Sequence, residues 1–209
     1  MSKQGVDTGR RKMLTLATSA VGAVGAGAWA VPFVGSLAPS EKAKALGAPV
    51  TMDLSELKPG EMTIKSWRGK PVWVIRRTPD MLASLEKVRD DLADPDSEQP
   101  QQPDYIQGAA RSLKPEYMVM QGVCTHLGCS PKLRKIDTAA ADVGGASWQG
   151  GFFCPCHGSK FDLAGRVYSG VPAPLNIVVP PHRYASDTVL VIGEDPVAAA
   201  QSKNEAGAA

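Results

Sequence analysis

Polar and apolar positions divide the 209-residue chain into stretches of different period. From position 13 to position 40 no side chain is charged, and the apolar part of that run ends near Leu37. At ~1.5 Å per residue a helix over 13–37 is long enough to cross a bilayer, which takes ~20 residues. Residues 38–49 are small and polar and read as a flexible linker. From Val50 onward the period shortens to two. Residues 50–53, 62–67, 72–75 and 117–122 read as strands, with turn signals at Lys58-Pro59-Gly60 and Arg68-Gly69-Lys70. Two more short strands are expected near 176–179 and 188–192. Between the strands, Met81, Leu82, Leu85, Val88 and Leu92 fall at helical spacing after Pro79-Asp80. A Pro-, Gln- and acid-rich loop over 94–103 follows, so 79–114 reads as a helix and loop inserted into a β scaffold. Residues 194–209 are Ala-rich and predict a disordered tail. The fold class is all-β, an antiparallel sandwich over 50–193, plus one N-terminal transmembrane helix.

Charge sharpens the N-terminal reading. The 23 Lys and Arg against 21 Asp and Glu leave a net charge of +2, which argues against nucleic-acid binding through bulk basic charge. Residues 1–12 carry Lys3, Arg10, Arg11 and Lys12 against Asp7, so the basic excess lies entirely there. The positive-inside rule then puts 1–12 in the cytoplasm and the β domain on the far side of the membrane. Ala28-Trp29-Ala30 has the form of a cleavage site, which would make the segment a removed signal peptide. The apolar run continues past it through Val31, Phe33, Val34 and Leu37, and that length favours a retained anchor. Arg10-Arg11, directly before the apolar run, resembles a twin-arginine export signal, which delivers cargo already folded.

The candidate chemistry sits in two short loops. All four cysteines and two of the three histidines fall in Cys124-Thr125-His126-Leu127-Gly128-Cys129 and Cys154-Pro155-Cys156-His157-Gly158-Ser159. Thiolates and imidazoles together are transition-metal ligands. A structural zinc site of Cys124, His126, Cys154 and His157 is one reading; it leaves Cys129 and Cys156 free to pair in an oxidising compartment. Cys–His nucleophilic catalysis is another, but it uses one Cys and one His and leaves the rest idle. An iron–sulfur cluster with two thiolate and two imidazole ligands matches the same inventory of cysteines and histidines.

The two loops are the two-box signature of Rieske iron–sulfur proteins. The resemblance extends to Gly165-Arg166-Val167 and Pro172-Ala173-Pro174-Leu175-Asn176, and with the anchor and linker it covers most of the chain. It is strongest to the family found in proteobacterial ubiquinol–cytochrome c reductases, the cytochrome bc1 complexes. It implies a Rieske-type sandwich with a small cluster-binding part over about 118–177, and one [2Fe-2S] cluster. Cys124 and Cys154 would ligate the inner iron, and His126 and His157 the outer one. Cys129 and Cys156 would form a disulfide tying the loops. Ser159 matches a serine whose hydroxyl bonds a cluster sulfide, and residues 172–174 match a proline loop covering the cluster. His157 matches the quinol-facing ligand and is the candidate catalytic residue.

The implied function is electron transfer in a respiratory quinol-oxidising complex. An electron and a proton would be taken from ubiquinol bound in cytochrome b. The electron would pass to a c-type cytochrome subunit of a dimeric complex in the bacterial inner membrane, contributing to proton-motive force. The soluble domain would lie in the periplasm. Replacing two thiolates by neutral imidazoles removes two negative charges from the oxidised centre, which fits a potential of roughly −150 to +300 mV. A ring with a second, outward nitrogen also couples proton uptake to electron uptake.

Three positions depart from the family pattern. Phe161 stands where high-potential members carry a tyrosine bonded to a ligand sulfur, so a lower potential is expected. Val171 replaces a frequent glycine before the proline loop. The gap between the two boxes is long, with 137–147 as its extra loop. His182 lies outside both boxes and reads as a surface or structural histidine. A periplasmic molybdenum oxidase subunit, such as that of arsenite oxidase, is the alternative function. A soluble ferredoxin fits poorly, because such proteins lack the disulfide cysteines and the export signal.

Overall fold

The computed structural model describes residues 5, 7–135 and 148–196. The expected extra loop over 137–147 and most of the expected tail lie outside the described residues. The chain divides into two units, 1–45 and 46–209.

In the first unit, helix α1 spans Thr8–Ser36. Asp7 caps it, its carboxylate accepting from the backbone N–H groups of Gly9 and Arg10. No residue of α1 is buried, and its surface is apolar over a length that could cross a membrane. Trp29 stacks on Phe33, ring centroids 5.2 Å apart. A second helix, α2 (Glu41–Gly47), occupies most of the segment expected to be a flexible linker. Ser40 starts it, its hydroxyl accepting from the Ala43 N–H.

The second unit contains three antiparallel three-stranded sheets. The first orders β1 (Val50–Asp53), β9 (Val189–Ile192) and β8 (His182–Tyr184); the second orders β2 (Met62–Trp67), β3 (Lys70–Arg76) and β4 (Tyr117–Gln121). The third orders β5 (Lys132–Arg134), β6 (Gly151–Phe153) and β7 (Lys160–Phe161). The central sheet is shared between two cores. Val72, Val74, Tyr117 and Val119 point to one face and pack with Met52, Leu54, Leu190 and Ile192. Trp73, Ile75, Met118 and Met120 point to the other and pack with Phe152, Phe161, Cys124 and Cys154. A strand buried on both faces loses the polar half of the alternation, which is why 72–75 reads as a continuous apolar run.

Helix α3 covers Pro79–Lys87, with Thr78 as N-cap and Pro79 in its first turn. The helical spacing predicts continuation to Leu92, but the helix stops at Lys87. A single 3-10 turn, Arg89–Asp91, follows, and Leu92 pairs with Tyr168 instead. Asp90 and Asp91 would put two negative charges at the negative end of a longer helix. The strand expected near 176–179 is also absent. That segment spends its amides on irregular partners: Ile177 N–H on the Gly165 carbonyl and Val179 N–H on the Gln101 carbonyl. The strand forms further on, as β8.

His182 is structural. It is fully buried, and its Nδ1 lies 2.8 Å from the Pro180 carbonyl, which can only accept, so Nδ1 carries the proton. Tyr105 brackets it, accepting from the His182 N–H at 3.1 Å and donating to the His182 carbonyl at 3.3 Å. Burial pushes the Tyr105 phenol up to about 12, so it stays neutral. Burial also holds His182 below its ordinary value. The folded state therefore favours the neutral ring. The stability this contributes is present above the unfolded pKa of ~6.5 and is lost as pH falls below it. Melting curves between pH 8 and pH 5 are expected to fall more steeply for the native chain than for His182→Gln. Equal slopes would contradict this.

Candidate metal centre

The second core ends at two loops of closely matched backbone. In the first, the Cys124 N–H donates to the Cys129 carbonyl at 2.8 Å, and the Gly128 N–H to the Cys124 carbonyl at 3.0 Å. In the second, the Cys154 N–H donates to the Ser159 carbonyl at 2.8 Å, and the Gly158 N–H to the Cys154 carbonyl at 3.0 Å. Gly128 and Gly158 hold equivalent left-handed positions, φ +83° and +79°, which admit glycine without strain. Loop one follows β4, and loop two joins β6 to β7, so each is anchored in a sheet. The same frame presents its histidine two residues after the cysteine in loop one and three residues after it in loop two.

The result brings the sequence-predicted residues together. Cys124 and Cys154 are buried and carry free thiols. The His126 and His157 rings lie edge to face, centroids 4.8 Å apart and planes at 87°. Cys129 and Cys156 form a disulfide with a Cα–Cα distance of 6.7 Å, so the loops are covalently tied. Burial pushes the Cys124 thiol up. The His126 backbone N–H pulls it down, the neighbouring Cys154 thiol adds to the rise, and the Ser159 hydroxyl opposes it. Ser159 is itself fully buried, and its Oγ accepts from the Ala173 N–H at 3.0 Å.

That last bond holds the proline loop. On its other side the Thr125 hydroxyl donates to the Leu175 carbonyl at 2.6 Å. Gly170, at φ +71°, supplies the turn before the loop, and Val171 packs half-buried against the core. The site thus has a floor of apolar side chains, a lid at 171–175 and an open side. On the open side His157 is exposed, His126 is half-exposed, and Leu127 is 73% exposed. Among the described residues, a groove beside α3, lined by Thr78, Asp80, Ser84 and Lys87, holds no cysteine or histidine.

Sequence reasoning missed the polar scaffold behind the site. Arg77, Arg111, Arg166, Asp162 and Asn176 are all buried. The three guanidiniums donate to backbone carbonyls of Leu85, Pro95, Ala110, Pro115, Ala164 and Ile177, which ties the 79–114 insertion to the turn at 162–166. Burial lowers both Arg77 and Arg111 to about 10, and the Asp162 carboxylate opposes the fall. An irregular loop leaves many carbonyls without ladder partners, and arginine, with five donors, can serve several at once. The only sequence signal was Arg166 within Gly165-Arg166-Val167.

The donor set suits a [2Fe-2S] cluster: two buried free thiols and two imidazoles in edge contact, on two loops tied by a disulfide. Such a site on three small antiparallel sheets defines an iron–sulfur electron carrier of the Rieske class. The profile of the Rieske [2Fe-2S] domain matches residues 48–181, and that of the ubiquitinol-cytochrome C reductase Fe-S subunit TAT signal matches residues 1–40. The chain is 57% identical over 195 residues to the ubiquinol-cytochrome c reductase iron-sulfur subunit of Allochromatium vinosum, covering 93% of each chain. It is 40% identical over 192 residues to that of Rhodospirillum rubrum, covering 92% of this chain and 96% of the other. Among solved structures it is similar to a chain of a hyperthermophilic respiratory Complex III, at 29% identity and TM-score 0.44, covering 84% of this chain and 98% of that one. The chain belongs to the Rieske [2Fe-2S] family and, within it, to the iron–sulfur subunits of ubiquinol–cytochrome c reductase. Its cofactor is one [2Fe-2S] cluster. The Allochromatium vinosum and Rhodospirillum rubrum relatives favour the respiratory reading over the molybdenum-oxidase alternative.

Phe161 is fully buried in β7, opposite Phe152, in the core that also holds Cys124 and Cys154. It brings no hydroxyl to the site. A hydroxyl donor to a ligand sulfur stabilises the more electron-rich state. A charge-assisted bond is worth ~1.5–3 kcal/mol gross, only part of it redox-dependent. One kcal/mol is about 43 mV for a one-electron couple, from ~59 mV per tenfold. Phe161→Tyr is expected to raise the midpoint by some tens of millivolts, and Ser159→Ala to lower it by as much or more. Protein-film voltammetry reads both. An unchanged or lower midpoint in Phe161→Tyr, with the cluster intact, would count against this account.

Proposed function

We propose that Cys124 and Cys154 ligate one iron and His126 and His157 the other. On this reading the chain carries electrons from ubiquinol in a cytochrome b subunit to a c-type cytochrome subunit of a dimeric complex. The observation that carries it is the pairing of two buried free thiols with two adjoining imidazoles on disulfide-tied loops. When bound, the cluster supplies a one-electron acceptor and donor. The rest is the work of the chain. The disulfide and the proline loop keep the loops closed over the buried sulfurs. His157, on the exposed side, accepts the quinol hydroxyl at its outward ring nitrogen and takes its proton. Leu127, which follows His126 in the first loop and is exposed, offers an apolar contact to the subunit that holds the quinol.

Helix α1 anchors the chain as a single pass in the inner membrane, with 46–196 in the periplasm. The mature protein is expected to keep its N-terminus; N-terminal sequencing that starts at Val31 would show a cleaved signal instead. Purification of the intact complex tests the function. The full-length chain is expected to copurify with b- and c-type cytochromes, and quinol-dependent cytochrome c reduction is expected to collapse in His157→Gln. Copurification with a soluble molybdenum enzyme would overturn the reading.

A further inference from the structure

The sulfurs of Cys129, Cys154 and Cys156 lie within 4.8 Å of one another, although only two of them are bonded. Cys154 is a buried free thiol set against a disulfide, and one partner of that disulfide, Cys156, is exposed. Cys124 is outside this three-sulfur group. We propose that, in the chain without its cluster, Cys154 exchanges into the disulfide and displaces Cys156. The inference rests on Cys154 being a ligand in the loaded chain, where the iron holds its sulfur and blocks the reaction.

The step needs no oxidant. The Cys154 thiolate attacks the Cys129 sulfur, the Cys129–Cys156 bond breaks, a Cys129–Cys154 bond forms, and Cys156 leaves as the thiolate. The proton lost by Cys154 is balanced by the one Cys156 takes up. One disulfide is consumed and one is made. Attack on Cys129 is preferred to attack on Cys156, because a Cys154–Cys156 bond would close a ring over Pro155 alone, whose φ is fixed. Burial gives the direction. The exchange moves the polar, ionisable sulfur from a buried position to an exposed one and puts an apolar disulfide in its place. The original and the new disulfide both join the two loops, so the chain loses little connectivity but loses one ligand.

The order of maturation follows. A chain oxidised before loading consumes Cys154 and cannot complete its ligand set, so loading must come before disulfide formation. Export through a signal that carries folded cargo is consistent with that order, with loading on the reducing side and oxidation on the far side.

The test uses the full-length chain in detergent under anaerobic conditions. One sample keeps its iron and is treated with a maleimide while folded. A second is stripped with a ferrous-iron chelator, quenched in acid to stop exchange, unfolded and then labelled. Peptide fragmentation between Cys154 and Cys156 locates the label. In the stripped chain the label is expected on Cys156 and not on Cys154; label on Cys154 with Cys156 unlabelled overturns the proposal. Cys154→Ser, which has no attacking sulfur, is expected to leave Cys156 unlabelled under the same treatment, and label there also overturns it. The folded, iron-replete sample addresses the ligand assignment separately. Label on Cys154 with no loss of iron refutes that assignment, whatever the stripped chain shows.

Discussion

Cys154→Ser and His157→Gln are each expected to yield a chain with no bound iron and no acid-labile sulfide, against about two of each in the native protein. On the proposed ligation each substitution removes one of four ligands. The sulfurs beside Cys154, those of Cys129 and Cys156, are held in the disulfide. The disulfide cysteines should behave differently. Cys129→Ala leaves the four proposed ligands in place but removes a cross-link between residues 27 apart in sequence, worth about 3.5 kcal/mol by chain entropy. That variant is expected to bind a cluster and lose it at lower temperature. Iron and sulfide analysis of the three variants separates the roles. A single tightly bound zinc in the native protein, with no sulfide, would refute the iron reading outright.

The proposed ligands are legible in the sequence because each loop is local. Six consecutive residues set the spacing of each box, and no distant contact is needed to recognise it. The longer strands were legible for a related reason: alternation marks 50–53 and 62–67, and a short apolar run marks 188–192, without knowledge of their partners. The third sheet was not. Its strands, β5, β6 and β7, have three, three and two residues, too few for any period to show. They are held by the core beneath them and by the loops they support. The segment 176–179 misled in the opposite way. Ile177 and Val179 are apolar because they are buried, and burial alone does not make a strand when the neighbouring backbone belongs to turns. The buried arginines gave almost no signal. In composition they look like solvated surface charge, and only the irregular loops around them, rich in carbonyls without partners, explain why they lie inside.

That scaffold yields the second large expectation, at Asp162. Its carboxylate is 1% exposed and accepts from the Ala164 N–H at 2.9 Å, the Arg166 N–H at 2.7 Å and the Arg166 Nε at 2.7 Å. It also opposes the burial cost of Arg77 and Arg111. This carboxylate is the buried counter-charge common to all three guanidiniums, joined at Arg111 by the half-buried Asp94. Removing one partner of a buried pair leaves the other uncompensated and costs ~3–5 kcal/mol. For a domain of this size 1 kcal/mol shifts the melting temperature by roughly 2–4 °C. Asp162→Ala is therefore expected to melt on the order of 10 °C or more below the native chain. Asp162→Asn keeps an acceptor for the two backbone N–H groups but not the charge, so it should fall between the two. The loss should appear first where the guanidiniums are anchored. Hydrogen exchange in the 79–114 insertion should quicken in both variants before exchange in β3 and β4 does. If Asp162→Ala melts with the native chain, the arginines are satisfied by carbonyls alone and the carboxylate is dispensable.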